Sequence, residues 1–119
     1  MLSEKEKPGL WGEIYAARFM RENGYEIITA NYRCRLGEID IIAKKDGFLV
    51  FTEVRTRSPG AIAPGREAVG SAKQERIIET ASLFMQKNNY DLQPRFDVAE
   101  VYRSESGALE RIEYVKNAF

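Results

Sequence analysis

The pattern of apolar and polar positions divides the chain into seven segments. Residues 9–23 (GLWGEIYAARFMREN) follow a proline suited to a first helical turn, contain no β-branched run and stop at Gly24, so they predict a helix. Within it Ala16, Ala17 and Met20 lie one or two turns beyond Glu13 on the same side, which places an acid on a packed face. Residues 25–34 (YEIITANYRC), 37–45 (GEIDIIAKK) and 48–56 (FLVFTEVRT) are rich in β-branched and aromatic residues and predict three strands. Residues 56–70 hold Pro59, Gly60, Pro64, Gly65 and Gly70 and predict a long mobile loop. Ser71 is then expected to open a second helix, with Gln74 at the capping-box position and Ile77, Ile78, Ala81, Phe84 and Met85 as its apolar stripe. That helix should end near Asn88 and Asn89. Residues 95–103 and 109–117 predict a last pair of strands with a turn near Gly107. The expected order is α-β-β-β-α-β-β, an α/β fold in one domain over residues 1–119, with residues 1–8 flexible.

Between the second and third strands stands Asp46-Gly47, a strong signal for a two-residue hairpin, because a type I′ turn needs positive φ at both central residues. Such a turn sets the register. Lys45 opposes Phe48, Ala43 opposes Val50, Asp40 opposes Glu53 and Glu38 opposes Arg55. Counted outward from the turn, Asp40 and Glu53 fall at a non-hydrogen-bonded position, where Cα atoms are about 4.5 Å apart and side chains closest. Ile39, Ile41, Ala43, Phe48, Val50, Thr52 and Val54 then form one nearly continuous apolar face. The other face carries Ile42, Leu49 and Phe51 near the turn and Glu38, Asp40, Glu53 and Arg55 beyond it.

Opposed carboxylates on a half-buried sheet face are unfavourable, and a compensating cation is expected. Two carboxylates, a backbone carbonyl such as that of Val54, and waters make a hard oxygen set that suits Mg²⁺ or Mn²⁺. Glu13 on its helix is a third acid able to reach the same face. The plainer alternative needs no metal: Glu38 pairs with Arg55, Glu53 finds a nearby lysine or arginine, and Asp40 faces solvent.

Composition narrows the chemistry further. The chain has no histidine, which removes Ser-His and Cys-His nucleophile systems and histidine-containing zinc sites. Cys34 stands alone, so there is neither an internal disulfide framework nor a cysteine-based zinc cluster. No apolar run approaches the ~20 residues of a membrane span, and the polar start lacks a signal-peptide core, so a cytoplasmic protein is expected. Net charge is zero, so any polyanion partner must be met by a local patch. One candidate lies between residues 55 and 76, where Arg55, Arg57, Arg66, Lys73 and Arg76 outnumber Glu67 and Glu75; its plainer reading is a solvated loop and outer helix face.

Taken together, the helix acid, GEID, the DG turn, FTEVR, GREAVGSAKQERI and RFDV resemble the YraN-like family of bacterial proteins. The likeness runs in one order from about Gly12 to Val98 and beyond. That family is similar to Holliday-junction resolvases and other PD-(D/E)XK nucleases with the restriction-endonuclease-like fold, a mixed central sheet with helices packed on it. The resemblance implies metal ligation by Asp40 and Glu53, an accessory carboxylate at Glu13, a catalytic basic residue at position 55, and Lys73, with Gln74, near the site. It implies a metal-dependent endonuclease acting on branched or structured DNA, and it leaves a homodimer open. The sequence departs from the pattern at Arg55, where the family places lysine. Arginine stays protonated and cannot act as a base. The alternatives are therefore a nucleic-acid-binding module that keeps the fold without the chemistry, and a protein-interaction domain.

Overall fold

The computed structural model describes residues 8–59 and 69–119; the expected flexibility of the first seven residues, the middle of the loop and Arg66 lie outside them. In chain order the elements are α1 (Pro8–Glu22), β1 (Glu26–Cys34), β2 (Gly37–Lys45), β3 (Phe48–Arg57), α2 (Ser71–Lys87), β4 (Gln93–Arg103) and β5 (Leu109–Val115). This is the order that the apolar pattern predicts. The loop begins later than expected, because β3 continues through Thr56 and Arg57 in parallel pairing with Val101 and Tyr102.

Local chemistry sets the boundaries. Gly24, at φ 87°, ends α1 in the left-handed region, and the Tyr25 N–H returns to the Met20 carbonyl at 2.9 Å. Asp46 and Gly47, at φ 50° and 84°, make the turn between β2 and β3. α2 starts at Ser71 as expected, but its capping differs. Gly70 is the N-cap and offers no side-chain cap, while the Gln74 amide donates to the Val69 carbonyl at 2.7 Å rather than closing a box with Ser71.

The strands form one sheet in the order β1-β2-β3-β4-β5, antiparallel except where β3 meets β4. Parallel neighbours cannot be joined by a tight turn, and α2 lies on the crossover between them. Each helix covers an apolar face. Ala16 and Met20 of α1 pack with Ile41, Ala43, Val50, Ala99 and Val101, whereas Ile77, Ala81 and Phe84 of α2 pack with Ile39, Ile42, Leu49, Phe51 and Val98. The result is a mixed α/β architecture compatible with the restriction-endonuclease-like fold. α1 lies close against β3, since a Cβ at Gly12 would collide with Thr56 Oγ1, and this approach brings Glu13 down to the sheet. Among the described residues no helix is long and apolar enough to cross a membrane.

Candidate functional site

Near the turn, the β2–β3 hairpin keeps the expected register: Lys45 pairs with Phe48, Ala43 with Val50 and Ile41 with Thr52. There the ladder stops. The pairing of Asp40 with Glu53 that the register predicts is not formed. In a regular ladder the next hydrogen-bonded position would join Ile39 to Val54. Instead the Val54 N–H donates to Asp40 Oδ2 at 2.8 Å, so a carboxylate takes the place of a backbone carbonyl.

The same point breaks the expected continuous face. Ile41 belongs to the core under α1, but Ile39, two residues earlier, belongs to the core under α2. Residues two apart in a strand should share a face, so the alternation of β2 reverses at Asp40. Its neighbour reverses too. Tyr32 of β1, paired with Ile39, packs on the α2 side, and Asn31, opposite Asp40, sits at φ 55°. Positive φ is uncommon for a residue with a Cβ, and asparagine is among the few that accept it. In the sequence Asn31 is marked only as an asparagine interrupting a β-branched and aromatic run.

Asp40 therefore lies in the gap between two separating strands. Burial pushes its carboxyl up to about 7, and the carboxylates of Glu53, Glu13 and Glu38 add to this, against the favourable Val54 N–H. Glu13 approaches from α1. Burial raises its pKa as well, while a hydrogen bond from the Asn31 side chain opposes the rise. Its Oε1 is buried without a hydrogen-bond partner. Glu38 is bound across the β1–β2 pair by Arg33 at 2.9 Å, in the exposed register Arg33↔Glu38.

Glu53 points the other way, to the first turn of α2, where Lys73 forms an ion pair with its Oε2. Its side chain is largely buried, while that of Lys73 is half exposed. The structure thus gathers Asp40, Glu13, Glu53 and Lys73 around the split, with the acids entering from both faces instead of one. Among the described residues no three carboxylate or thiolate groups come close enough to hold a metal ion as they stand. Arg55 sits beside Glu100 in the β3–β4 register. Arg57 is engaged within the sheet. Its Nε donates to Glu100 Oε1 at 3.0 Å inside the fold, because Glu100 is almost wholly buried and requires a cation. Arg76 is exposed on α2, within one turn of Lys73.

Comparison with known proteins gives the chain a family. The model of uncharacterised protein family UPF0102 matches residues 12–101, a span that includes Glu13, Asn31, Asp40, Glu53, Arg55 and Lys73. A UPF0102 protein of Acetivibrio thermocellus is 43% identical over 98% of this chain and 94% of its own length. UPF0102 proteins of Caldanaerobacter subterraneus and Desulforapulum autotrophicum are 38% and 42% identical, again over nearly the full length of both chains. The chain belongs to the UPF0102, or YraN, family, whose place is in the PD-(D/E)XK superfamily.

Proposed function

We propose that the protein is a metal-dependent endonuclease that hydrolyses phosphodiester bonds in DNA, with branched or structured DNA as its substrate. The observation that supports this most is Asp40, an acid driven into a gap in its own sheet beside two other acids and held there by one backbone N–H. A structural aspartate would be surrounded by donors. This one is surrounded by groups that call for a cation.

Asp40 and Glu53 would hold Mg²⁺ or Mn²⁺. Val54 would offer a third oxygen, because the N–H and C=O of an extended residue face the same neighbouring strand and its N–H faces Asp40. The buried, unpartnered oxygen of Glu13 adds negative potential at the same place. Such an ion supplies an activated water and a polarised phosphoryl oxygen. The remaining work belongs to the chain. Lys73, on a flexible and half-exposed stem, is free to exchange Glu53 for a phosphate oxygen as charge develops there. Arg55 stays protonated and contributes charge and a two-pronged contact, but not proton abstraction. Arg76 would grip the backbone, which fixes position without reading sequence and suits recognition of DNA shape.

The test is cleavage of four-way-junction, flap and linear DNA with Mg²⁺ or Mn²⁺, for wild type and Asp40→Asn. Cleavage confined to the wild type is expected. A folded protein that cuts no DNA at any metal concentration sinks the proposal. Arginine at position 55 favours one second reading, a nucleic-acid-binding module without chemistry. Salt-sensitive binding with no cutting, unchanged in Asp40→Asn, would decide for it.

A further inference from the structure

Asn31 carries two features that meet at Asp40. Its backbone is left-handed, at φ 55°, in the middle of an otherwise extended strand, and the alternation of both β1 and β2 reverses at its level. Its side chain, on an exposed residue, lies near enough to the half-buried carboxylate of Glu13 to counter the rise in that group's pKa. Neither feature serves the core, since an asparagine outside both apolar clusters could be replaced by a β-branched residue with better strand propensity. Both act on the acids at the split.

We propose that Asn31 is a positioning residue: its left-handed backbone turns Asp40 into the gap between β2 and β3, and its amide fixes Glu13 beside it. Without the reversal, Asp40 would project from a continuous ladder and the Val54 N–H would bond to Ile39. With it, Asp40 replaces that rung. The role in metal binding rests on the function proposed above, whereas the placement of Asp40 does not.

Three substitutions separate the backbone from the amide. Asn31→Gly keeps the left-handed conformation at little cost and removes the amide; Asn31→Val opposes that conformation, and Asn31→Ala opposes it more mildly should the valine variant fail to fold. The first readout needs no metal. The Val54 amide, bonded to a carboxylate, is followed by NMR shift and hydrogen exchange against the Val50 amide in the regular ladder. In Asn31→Val or Asn31→Ala the Val54 amide should shift and exchange at least several-fold faster while Val50 is unchanged; in Asn31→Gly it should stay as in wild type. The second readout is Mn²⁺ affinity by calorimetry, expected to fall about tenfold or more in Asn31→Val, as when a residue that orients a ligand is lost. An unaltered Val54 amide in both Asn31→Val and Asn31→Ala overturns the proposal. A Val54 response in a protein that binds no Mn²⁺ in any form keeps the positioning role and overturns the metal site.

Discussion

Two aspartates on this sheet, one buried and one half-buried, have opposite surroundings. Asp97 of β4 is fully buried and receives the Arg95 guanidinium through Nε at 3.0 Å and Nη2 at 2.8 Å, the Tyr114 hydroxyl at 2.6 Å and the Asn117 N–H at 3.1 Å. Arg95 is itself tied to the Tyr25 hydroxyl at 2.7 Å, and Tyr114 to Thr52 at 3.1 Å. Burial and the bond to Asp97 both hold the Tyr114 phenol protonated well beyond its ordinary range. Every charge in that cluster has an answer within the chain. Asp40 of β2 receives one backbone N–H and is otherwise faced by acids, of which Glu13 is within hydrogen-bonding reach. The difference separates a carboxylate that holds the fold together from one that the chain leaves largely unanswered, the property on which the proposed metal site rests.

The largest expected effect of breaking this contrast is at Asp97. Asp97→Asn leaves Arg95 buried without its counter-charge, and loss of about 3–5 kcal/mol is expected in urea denaturation. The same change at Asp40 should be neutral or stabilise by about 1 kcal/mol at pH 8, because it removes a repelled charge while the amide oxygen still accepts from Val54. Equal losses at both sites would erase the distinction.

The pH dependence follows from the same asymmetry. Asp40 titrates near 7 when folded and near 4 when unfolded, so between those values the folded state binds more protons. Its contribution therefore lowers stability as pH rises from about 4 to about 7 and is level above that. Comparing wild type with Asp40→Asn across this window isolates the slope; a difference that does not change with pH would contradict it. Mn²⁺ binding should accordingly strengthen up to about pH 7 and release protons, which calorimetry in buffers of different ionisation enthalpy measures.

Glu53 stands between the two cases, with a partner that is half exposed and exchangeable. Lys73→Met should bind Mn²⁺ a few-fold more tightly, since the ammonium no longer competes for Glu53, and should cleave DNA more slowly. If affinity and cleavage moved in the same direction, Lys73 would be either a simple competitor or a simple support, not both.

How far the sequence revealed this site depends on how local its causes are. The Asp46-Gly47 turn fixes the register as far as Ile41 and Thr52 because its dihedral demands are met by two adjacent residues. The break at Asp40 escaped because it depends on one left-handed asparagine in another strand, and strand patterning assumes that alternation never reverses. The one-sided acid cluster was wrong for the same reason. The metal-free alternative foresaw a cation on Glu53, and Lys73 is that cation; the neighbouring Arg33 on β1, which it did not name, pairs with Glu38. The capture of Arg57 by Glu100 was hidden because these residues meet only once β3 and β4 pair in parallel, across 43 positions of chain.

That crossover also separates local contacts from long-range ones. The contact between Asp40 and Val54 spans 14 positions within one hairpin, a structure that closes in about 1–10 μs. Lys73 and Glu100 reach their partners only after a long loop closes, which is the slow part of assembling a parallel pair. The Asp40 and Val54 contact is therefore more local in the chain than the cationic half of the site. Under the proposed function, Mn²⁺ added to the folded protein would have to displace Lys73 from Glu53, whereas Mn²⁺ present during refolding would compete with Lys73 for it from the start.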